Sequence, residues 1–243
     1  MPKTNEKEPK AGIISRRGFL ANAAAGAATI SLATTSSAQD DRDEPVVPPP
    51  KDAVTLFDGG RIAGWLSRKG GPAAWALKNG FMEVVPQSGD IYTERTFGDF
   101  QLHVEFWIPF MPEAKGQARA NSGVYLQGLY EVQVLDSFGL KSSDDDCGAI
   151  YKVAAPLRNA CKKPRTWQSY DIAFRAPRFD AGQLKEHARV TVFQNGFMIQ
   201  DNLEIPGPTR RAMETDPVKP GPILLQEHHG DLVRFRNIWI IPV

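Results

Sequence analysis

The sequence is short of the features that mark several common protein classes. Its 243 residues include only two cysteines, and they contain no basic block and no internal repeat. The motifs G-x-S-x-G, G-x-x-x-x-G-K-[ST], G-x-G-x-x-G and H-E-x-x-H are all missing. The sequence therefore gives no support for a serine hydrolase, a P-loop NTPase, a dinucleotide-binding enzyme or a zincin. Without a repeat, a propeller or solenoid is also disfavoured.

The N-terminal segment has the pattern of an export signal. Arg16 and Arg17 precede a weakly apolar run from Ala21 to Ala33, and Ser36-Ser37-Ala38 resembles a cleavage site. Two adjacent arginines in this position predict twin-arginine export. The run is too short and too rich in alanine and glycine to span a bilayer comfortably, and no cysteine near the cleavage site offers a lipid anchor. We expect residues 1–38 to be a signal peptide and the mature chain to be periplasmic or secreted, without membrane insertion.

The mature chain is nearly neutral. Residues 1–38 hold five basic and two acidic residues, so the 29 Lys/Arg and 28 Asp/Glu of the whole chain become 24 and 26, a net charge near −2. This balance argues against nucleic acid as a partner. Residues 39–50 are charged and then rich in proline, which predicts an extended linker. Residues 51–243 are enough for one domain with a sizeable core.

No stretch after the signal has a sustained 3.6-residue apolar period, and short β-type runs fill the chain instead. These runs are punctuated by glycine, proline and asparagine, and Asn195-Gly196 is a strong hairpin signal. The pattern predicts an all-β jelly roll or sandwich of two sheets. We expect strands near the following residues: 54–57, 75–77, 80–85, 91–100, 101–108, 121–135, 148–153, 168–174, 188–193, 197–200, 223–227 and 233–241.

The most unusual strand is the second of the pair between Asn121 and Gly139. It carries Glu131, Gln133 and Asp136 where its other residues are apolar. Because a buried carboxylate is costly unless it is paired or used, this strand is the first place to look for catalytic residues. Alternation puts Glu131 and Gln133 on one face, and Asp136 joins them only if the strand kinks near Leu135. The alternatives are a solvated face for Glu131 and a turn residue for Asp136.

A second group of candidates surrounds this strand. His228 lies in a Gln-Glu-His-His-Gly turn and could act as a base or bind a metal, although a structural role is equally open. His103 and Glu105 share a strand face at a spacing that could bind zinc, but without a further ligand we interpret it as a solvated face or as part of the concave face of a sheet. Tyr125, Tyr151 or Trp167 could supply an aromatic platform for a sugar. The polar side chains that we expect to bind a carbohydrate are Arg119, Asn121, Tyr125, Gln133, Lys152 and Gln226.

The two cysteines, Cys147 and Cys161, have no C-x-x-C partner that would suggest a metal or redox motif. In an oxidising compartment a pair is more often bridged than free. We expect a disulfide, which would stabilise the fold by roughly 3 kcal/mol.

Taken together, several motifs resemble the 3-keto-disaccharide hydrolase family of exported bacterial proteins. They run from Leu56-Phe57-Asp58-Gly59 to the end of the chain and include N-S-G-V-Y at 121, Y-E-V-Q at 130, G-A-I-Y at 148, W-Q-S-Y-D at 167, Q-E-H at 226 and F-R-N-I-W at 235. The resemblance implies a concanavalin A-like, laminarinase-type β-sandwich that cleaves 3-keto-glycosides.

The family's chemistry implies roles for the candidate residues. Removal of the acidified C2 proton is followed by departure of the C1 substituent, and water then adds to the enone. The resemblance implies Glu131 or His228 as the base, Lys152 or a divalent metal ion at the enolate oxygen, and Asp136 at the leaving group. The identity of any metal and the oligomeric state stay open.

A looser similarity links the chain to laminarinase-type glycosidases. These enzymes carry E-x-D-x-x-E, and this chain has Glu131-x-Gln133-x-x-Asp136 at the same spacing. An amide cannot share a proton as an aspartate does, and a shorter carboxylate lies farther from the sugar. Ordinary double-displacement hydrolysis is therefore disfavoured. The alternative from another class is a lectin-like module that binds glycans without cleaving them.

Overall fold

The computed structural model describes residues 45–243. The predicted signal peptide at 1–38 and residues 39–44 of the predicted linker lie outside the described residues. Within the described part, the only helical element is a 3₁₀ turn at Gly116–Ala118, and no helix there has the length and hydrophobicity needed to cross a membrane. The strands are β1 Val54–Phe57, β2 Trp65–Ser67, β3 Ala76–Lys78, β4 Phe81–Glu83, β5 Ile91–Phe97, β6 Phe100–Trp107, β7 Ser122–Leu126, β8 Tyr130–Val134, β9 Gln168–Arg175, β10 Arg178–Asp180, β11 Gln183–Glu186, β12 Ala188–Gln194, β13 Phe197–Ile205, β14 Gly221–Leu225 and β15 Arg234–Pro242.

The strands form a jelly-roll β-sandwich of two antiparallel sheets, as the sequence predicts. The larger sheet has the order β13-β12-β9-β6-β15-β4-β3, with β1 also paired to β15. The smaller has the order β2-β5-β14-β7-β8, and β10 and β11 form a separate ribbon. Large apolar side chains from the inner faces of both sheets, such as Phe106 and Tyr170 from one and Val124 and Val132 from the other, make one continuous core.

Two turns illustrate how the sequence sets the hairpins. Asn195 and Gly196 both have positive φ, at 53° and 81°, and they connect β12 to β13 as the sequence predicts. Gln127 and Gly128 do the same between β7 and β8, with φ of 53° and 69°. Asparagine and glycine tolerate this left-handed region better than other residues, which fixes the register of each hairpin.

The expected strand at Gly148–Val153 is wrong in its extent. Residues 148–151 run along the free edge of β8 and exchange three backbone hydrogen bonds with it, from Gly148, Gln133 and Tyr151. The segment then turns at Lys152, whose φ is 58°, so only isolated bridges form. This short segment nonetheless covers the edge of β8, which has no neighbouring strand on that side.

The two cysteines are neighbours in the core, close enough for a hydrogen bond between their thiols, and the disulfide stays a prediction. Cys147 and Cys161 are both buried free thiols. The Cys147 sulfur lies 3.2 Å from the Tyr170 hydroxyl and accepts a hydrogen bond from Gln194 Nε2 at 3.3 Å. Cys161 donates to the Lys162 carbonyl oxygen at 3.4 Å. As free thiols, both cysteines satisfy their polar groups with hydrogen bonds in the core.

Candidate active site

A cavity of about 230 Å³ lies against the smaller sheet on the face turned away from the core. Val132 and Val134 of β8 belong to the core, so alternation directs Glu131 and Gln133 to the opposite face. Loops cover that face and bury all five residues of β8. The residues that line the cavity are Gln117, Asn121, Glu131, Gln133, Tyr151, Arg210, Arg211, Gln226 and His228.

Glu131 is the acidic group of this cavity, and it is 3% exposed. Its carboxylate lies over Gly123 of β7, where an added Cβ would stand only 2.4 Å from Oε1. Burial raises the pKa of Glu131 to about 8, although a hydrogen bond from Tyr125 and the positive charge of Arg211 act in the opposite direction. At neutral pH this carboxyl is therefore mainly protonated and can donate a proton.

Tyr125 lies beside Glu131, buried under the cavity, and does not line it. Its hydroxyl can donate its single proton either to the Arg210 carbonyl oxygen, 3.1 Å away, or to the Glu131 carboxylate, and it accepts a hydrogen bond from Gln226 Nε2 at 3.0 Å. Burial raises the pKa of this hydroxyl, and the neighbouring charge of Glu131 raises it further. Tyr125 therefore stays neutral and positions Glu131, so we assign it an orienting role instead of the predicted contact with the sugar.

Three amide side chains form a hydrogen-bonded group on the cavity wall. Gln117 Oε1 accepts hydrogen bonds from Asn121 Nδ2 and Gln133 Nε2, both at 3.0 Å. Gln117 Nε2 in turn donates to the Asp145 carbonyl oxygen at 2.8 Å. Within the described residues Gln133 Oε1 is buried and accepts no hydrogen bond. An unpaired buried acceptor in a cavity indicates a place for a hydroxyl group of a ligand.

His228 reaches the cavity from the turn after β14. Its Nδ1 lies 3.9 Å from Asp231 Oδ2, too far for a hydrogen bond, and it has no hydrogen-bond partner among the described residues. Asp231 itself accepts a hydrogen bond from the Asn121 backbone N–H at 2.8 Å. The His228 ring also packs edge-on against His229, with ring centroids 4.3 Å apart. The histidine therefore has a fixed position, and because its Nδ1 is buried beside Asp231, its Nε2 is the nitrogen available for proton transfer in the cavity.

Arg210 and Arg211 line the cavity but were not among the candidates chosen from the sequence. They follow Thr209, whose hydroxyl accepts a hydrogen bond from the Glu131 backbone N–H at 3.0 Å and thereby ties the loop to β8. The Arg68 guanidinium donates to the carbonyl oxygens of Arg211 and Ala212, both at 2.9 Å. Arg211 also has a φ of 60°, an uncommon conformation for a residue with a side chain. Two adjacent arginines directly after the loop sequence P-G-P-T were the feature of the sequence that could have identified them as candidates.

Besides Tyr125, three more of the expected catalytic and substrate-binding residues do not line the cavity. Asp136 follows the end of β8 and is paired with Arg119, with Nη2 and Oδ2 2.9 Å apart. The chain turns here, since the Ser137 N–H donates to the Leu135 carbonyl oxygen at 3.0 Å, but the turn does not bring Asp136 to the cavity, so we remove Asp136 and Arg119 from the candidate set. Lys152 is exposed and pairs with Asp144 and Asp145, at 3.0 and 2.7 Å. Its charge is neutralised there, which removes it as the cation at an enolate oxygen.

Among the aromatic candidates, only Tyr151 lines the cavity. Trp167 belongs to a separate cluster with Phe81 and Trp107, and Arg236 covers its ring at 4.1 Å. His103 and Glu105 are buried as well, so of the two alternatives for them the solvated face is wrong. His103 hydrogen bonds Asp171 at 2.6 Å and stacks on Trp239, with ring centroids 4.9 Å apart.

Comparisons with known proteins agree on the type of domain. The model of the 3-keto-alpha-glucoside-1,2-lyase-like domain family matches residues 52–241. A solved structure from Parabacteroides distasonis ATCC 8503, described as a "putative glycosyl hydrolase", is 40% identical, with a TM-score of 0.73 over 82% of this chain and 93% of that one. Two more from the same organism with the same description share the fold at 20% and 22% identity. Their TM-scores are 0.58 and 0.55, and they cover 79% of this chain and 94% and 99% of theirs. No curated protein matches the sequence significantly.

Proposed function

The chain belongs to the 3-keto-alpha-glucoside-1,2-lyase-like domain family, and we propose that it is an exported enzyme that cleaves the glycosidic bond of 3-keto-glycosides, including 3-keto-disaccharides. The observation that carries this proposal is the composition of the cavity. A single carboxyl group with a pKa of about 8 shares it with His228 and two arginines. This set offers a proton donor, a base and positive charge at neutral pH, which are the groups that elimination next to a ketone requires.

The reaction proceeds in two steps. A base removes the proton at C2, which the C3 ketone acidifies, and the electron pair forms an enolate. The enolate then expels the C1 substituent, which takes up a proton and leaves as an alcohol, and a C1=C2 double bond remains conjugated to the ketone. Water adds across this double bond and returns a proton to C2. The net change is hydrolysis, and if the second step does not occur the enzyme acts as a lyase.

Each residue of the cavity has its own task in this reaction. Glu131 is mainly protonated at neutral pH and protonates the leaving oxygen. His228 lines the cavity and takes the proton from C2 with Nε2, because its Nδ1 is buried beside Asp231. The guanidinium groups of Arg210 and Arg211 stabilise the negative charge of the enolate. The Gln117, Asn121 and Gln133 amides bind sugar hydroxyls, and Tyr151 lies beside the ring.

The residues of the cavity do not form a dedicated metal site. Glu131 and His228 are its only carboxylate and imidazole groups, whereas catalytic zinc sites use three protein ligands. No group of three or more His, Cys, Asp or Glu side chains suited to a metal occurs within residues 45–243. The steps described above use side chains alone, and assays with and without a chelator test whether a divalent ion contributes.

The test uses 4-nitrophenyl 3-keto-glucoside, which releases a coloured phenol when the bond breaks. We expect wild-type turnover, and losses of at least about 100-fold in Glu131→Gln and His228→Gln, the usual size for removal of a general acid or base. Lys152→Met is the matched control, because Lys152 lies outside the cavity, and it should retain activity. Binding of the sugar without cleavage by the wild-type protein would instead support the lectin-like alternative.

Reaction in D₂O separates elimination from direct displacement. Elimination and hydration place one deuterium at C2 of the product, whereas displacement at C1 leaves the original hydrogen there. The product is also incubated in D₂O without enzyme, which measures spontaneous exchange. Enzymatic product without deuterium at C2 would refute the proposed route.

A further inference from the structure

A second cavity, of about 370 Å³, adjoins the first along Arg211, which lines both. The second cavity lies between the loops that follow β2, β4 and β14 and the loop after β13 that carries Arg211. Its lining residues are Lys69, Pro86, Gln87, Arg211, Glu227, His229 and Gly230. The first cavity alone is smaller than the roughly 300–1,000 Å³ of typical ligand sites, so a substrate larger than one sugar unit needs this adjoining space.

Two glycines allow close packing between the loops that form the second cavity. An added Cβ at Gly89 would stand 3.1 Å from the stem of Lys69, so the lysine side chain lies directly on this backbone. An added Cβ at Gly230 would stand 3.2 Å from Pro86. Both glycines have positive φ, 83° and 84°. The position of Lys69 and the approach of the two loops are therefore built into the fold.

The boundary between the cavities coincides with the proposed catalytic groups. His228 lines the first cavity and the adjacent His229 lines the second. A glycoside with its keto-sugar in the first cavity and its leaving group in the second would place the scissile bond beside His228 and Arg211. We propose that the second cavity is the leaving-group subsite and that it favours a leaving group that carries a carboxylate, such as a uronic acid. This inference rests on the proposed function.

The positive charges on the walls of the second cavity indicate that its ligand is an anion. Lys69 and Arg211 contribute two positive charges. Lys69 Nζ donates to the Gln87 carbonyl oxygen at 2.5 Å, and within the part of the chain that the structure describes neither residue forms an ion pair with a carboxylate. Glu227 is the acidic residue of this cavity, and its Oε1 accepts a hydrogen bond from the Gly230 backbone N–H at 2.8 Å. No phenylalanine, tyrosine or tryptophan lines the cavity to stack on an aromatic leaving group. Unpaired cations on a concave wall attract anions, most strongly at low salt.

The test compares two 3-keto-glycosides that differ only in their leaving sugar, glucuronic acid or glucose. We expect wild-type kcat/KM to be about fivefold higher for the acidic leaving group at low salt, the size of a partly exposed charge pair. Lys69→Met keeps the stem and removes the charge, and it should abolish most of this ratio. Lys185→Met, on the separate β10–β11 ribbon, is the matched control and should keep it. Equal kcat/KM for both substrates, or a ratio unaffected by Lys69→Met, would overturn the inference.

Binding of the unoxidised parent glycosides separates this inference from the proposed function. These compounds have no ketone and cannot undergo elimination, so calorimetry reports occupancy alone. Tighter binding of the acidic glycoside, weakened by Lys69→Met, supports the subsite even if neither keto-glycoside is cleaved. Equal binding of both glycosides to the wild-type protein refutes it, even if both keto-glycosides are cleaved.

Discussion

Replacing Glu131 with glutamine should stabilise the protein while it removes activity. The folded pKa of about 8 lies above the ordinary value of 4.5 because the carboxyl is buried. Below pH 4.5 this group is protonated in both the folded and the unfolded chain and contributes no pH dependence. Between pH 4.5 and 8 the unfolded chain ionises and the folded chain does not. The free energy of unfolding therefore falls by about 1.4 kcal/mol per pH unit, and above pH 8 the loss is constant.

The size of the effect follows from these two pKa values. Linkage between protonation and folding predicts that the Glu131 carboxyl lowers the free energy of unfolding by about 3 kcal/mol at pH 7 and by about 5 kcal/mol at pH 9. Glutamine has nearly the same shape and can still accept a hydrogen bond from Tyr125, but it cannot ionise. For a domain of this size, relief of about 3 kcal/mol corresponds to a rise in Tm of roughly 6–12 °C at pH 7.

The assay is urea unfolding of wild type and Glu131→Gln between pH 4 and 9. We expect the difference in unfolding free energy to be smallest near pH 4 and to grow up to pH 8. Glu94→Gln removes an exposed carboxylate from β5 of the same sheet, and this control should show no such growth. Parallel curves for wild type and Glu131→Gln would refute the raised pKa and with it the assignment of Glu131 as a proton donor.

Three further predictions test the surroundings of the site and the opposite sheet. Gly123→Ala should displace the Glu131 carboxylate and lower kcat at least about tenfold, whereas Gly98→Ala, with open space at its Cβ position, should leave kcat unchanged in the same colour assay. Tyr125→Phe removes a hydrogen bond that lowers the pKa of Glu131, so the alkaline limb of the kcat profile should move to higher pH; an unmoved limb would contradict the orienting role. Burial disfavours the charge on His103, but a hydrogen bond to Asp171 and the Glu105 carboxylate 3.6 Å from Nε2 outweigh this and raise its pKa from 6.5 to about 9. The resulting stability is complete below pH 6.5 and is lost as pH rises through 9, and thermal unfolding of His103→Gln should lack this part of the decline.

The sequence could predict the strands because local patterns determine them. β1 at Val54–Phe57 has the expected bounds, and the Asn195-Gly196 hairpin lies where its turn residues require. The short strands β2, β10 and β11 were missed, since a run of three or four residues is too short to show a periodic signal. The segment at 148–153 was overestimated because apolar β-formers there pack against the edge of β8 without continuing as a strand.

The site was predictable only where it lies on regular strands. Glu131 and Gln133 share a face because β8 alternates, and that follows from spacing alone. Arg210 and Arg211 reach the cavity through a loop whose path depends on hydrogen bonds from Arg68, which is distant in sequence. No local pattern encodes such a contact. Lys152 was chosen for its charge. The predicted strand at 148–153 does not form, and the turn that replaces it brings Lys152 to Asp144 and Asp145, which the sequence pattern did not indicate.

The substitutions in Glu131-x-Gln133-x-x-Asp136 have a clear consequence once their positions are known. Glycoside hydrolysis by displacement needs two carboxyl groups on either side of the scissile bond. Gln133 lines the cavity with an amide, and Asp136 is held by Arg119 outside it, so Glu131 is the only carboxyl among the described residues that line the cavity. One carboxyl cannot serve as both nucleophile and separate acid. The same cavity suits a reaction in which a ketone supplies the acidity at C2, because that route needs one proton donor, one base and a cation for the enolate.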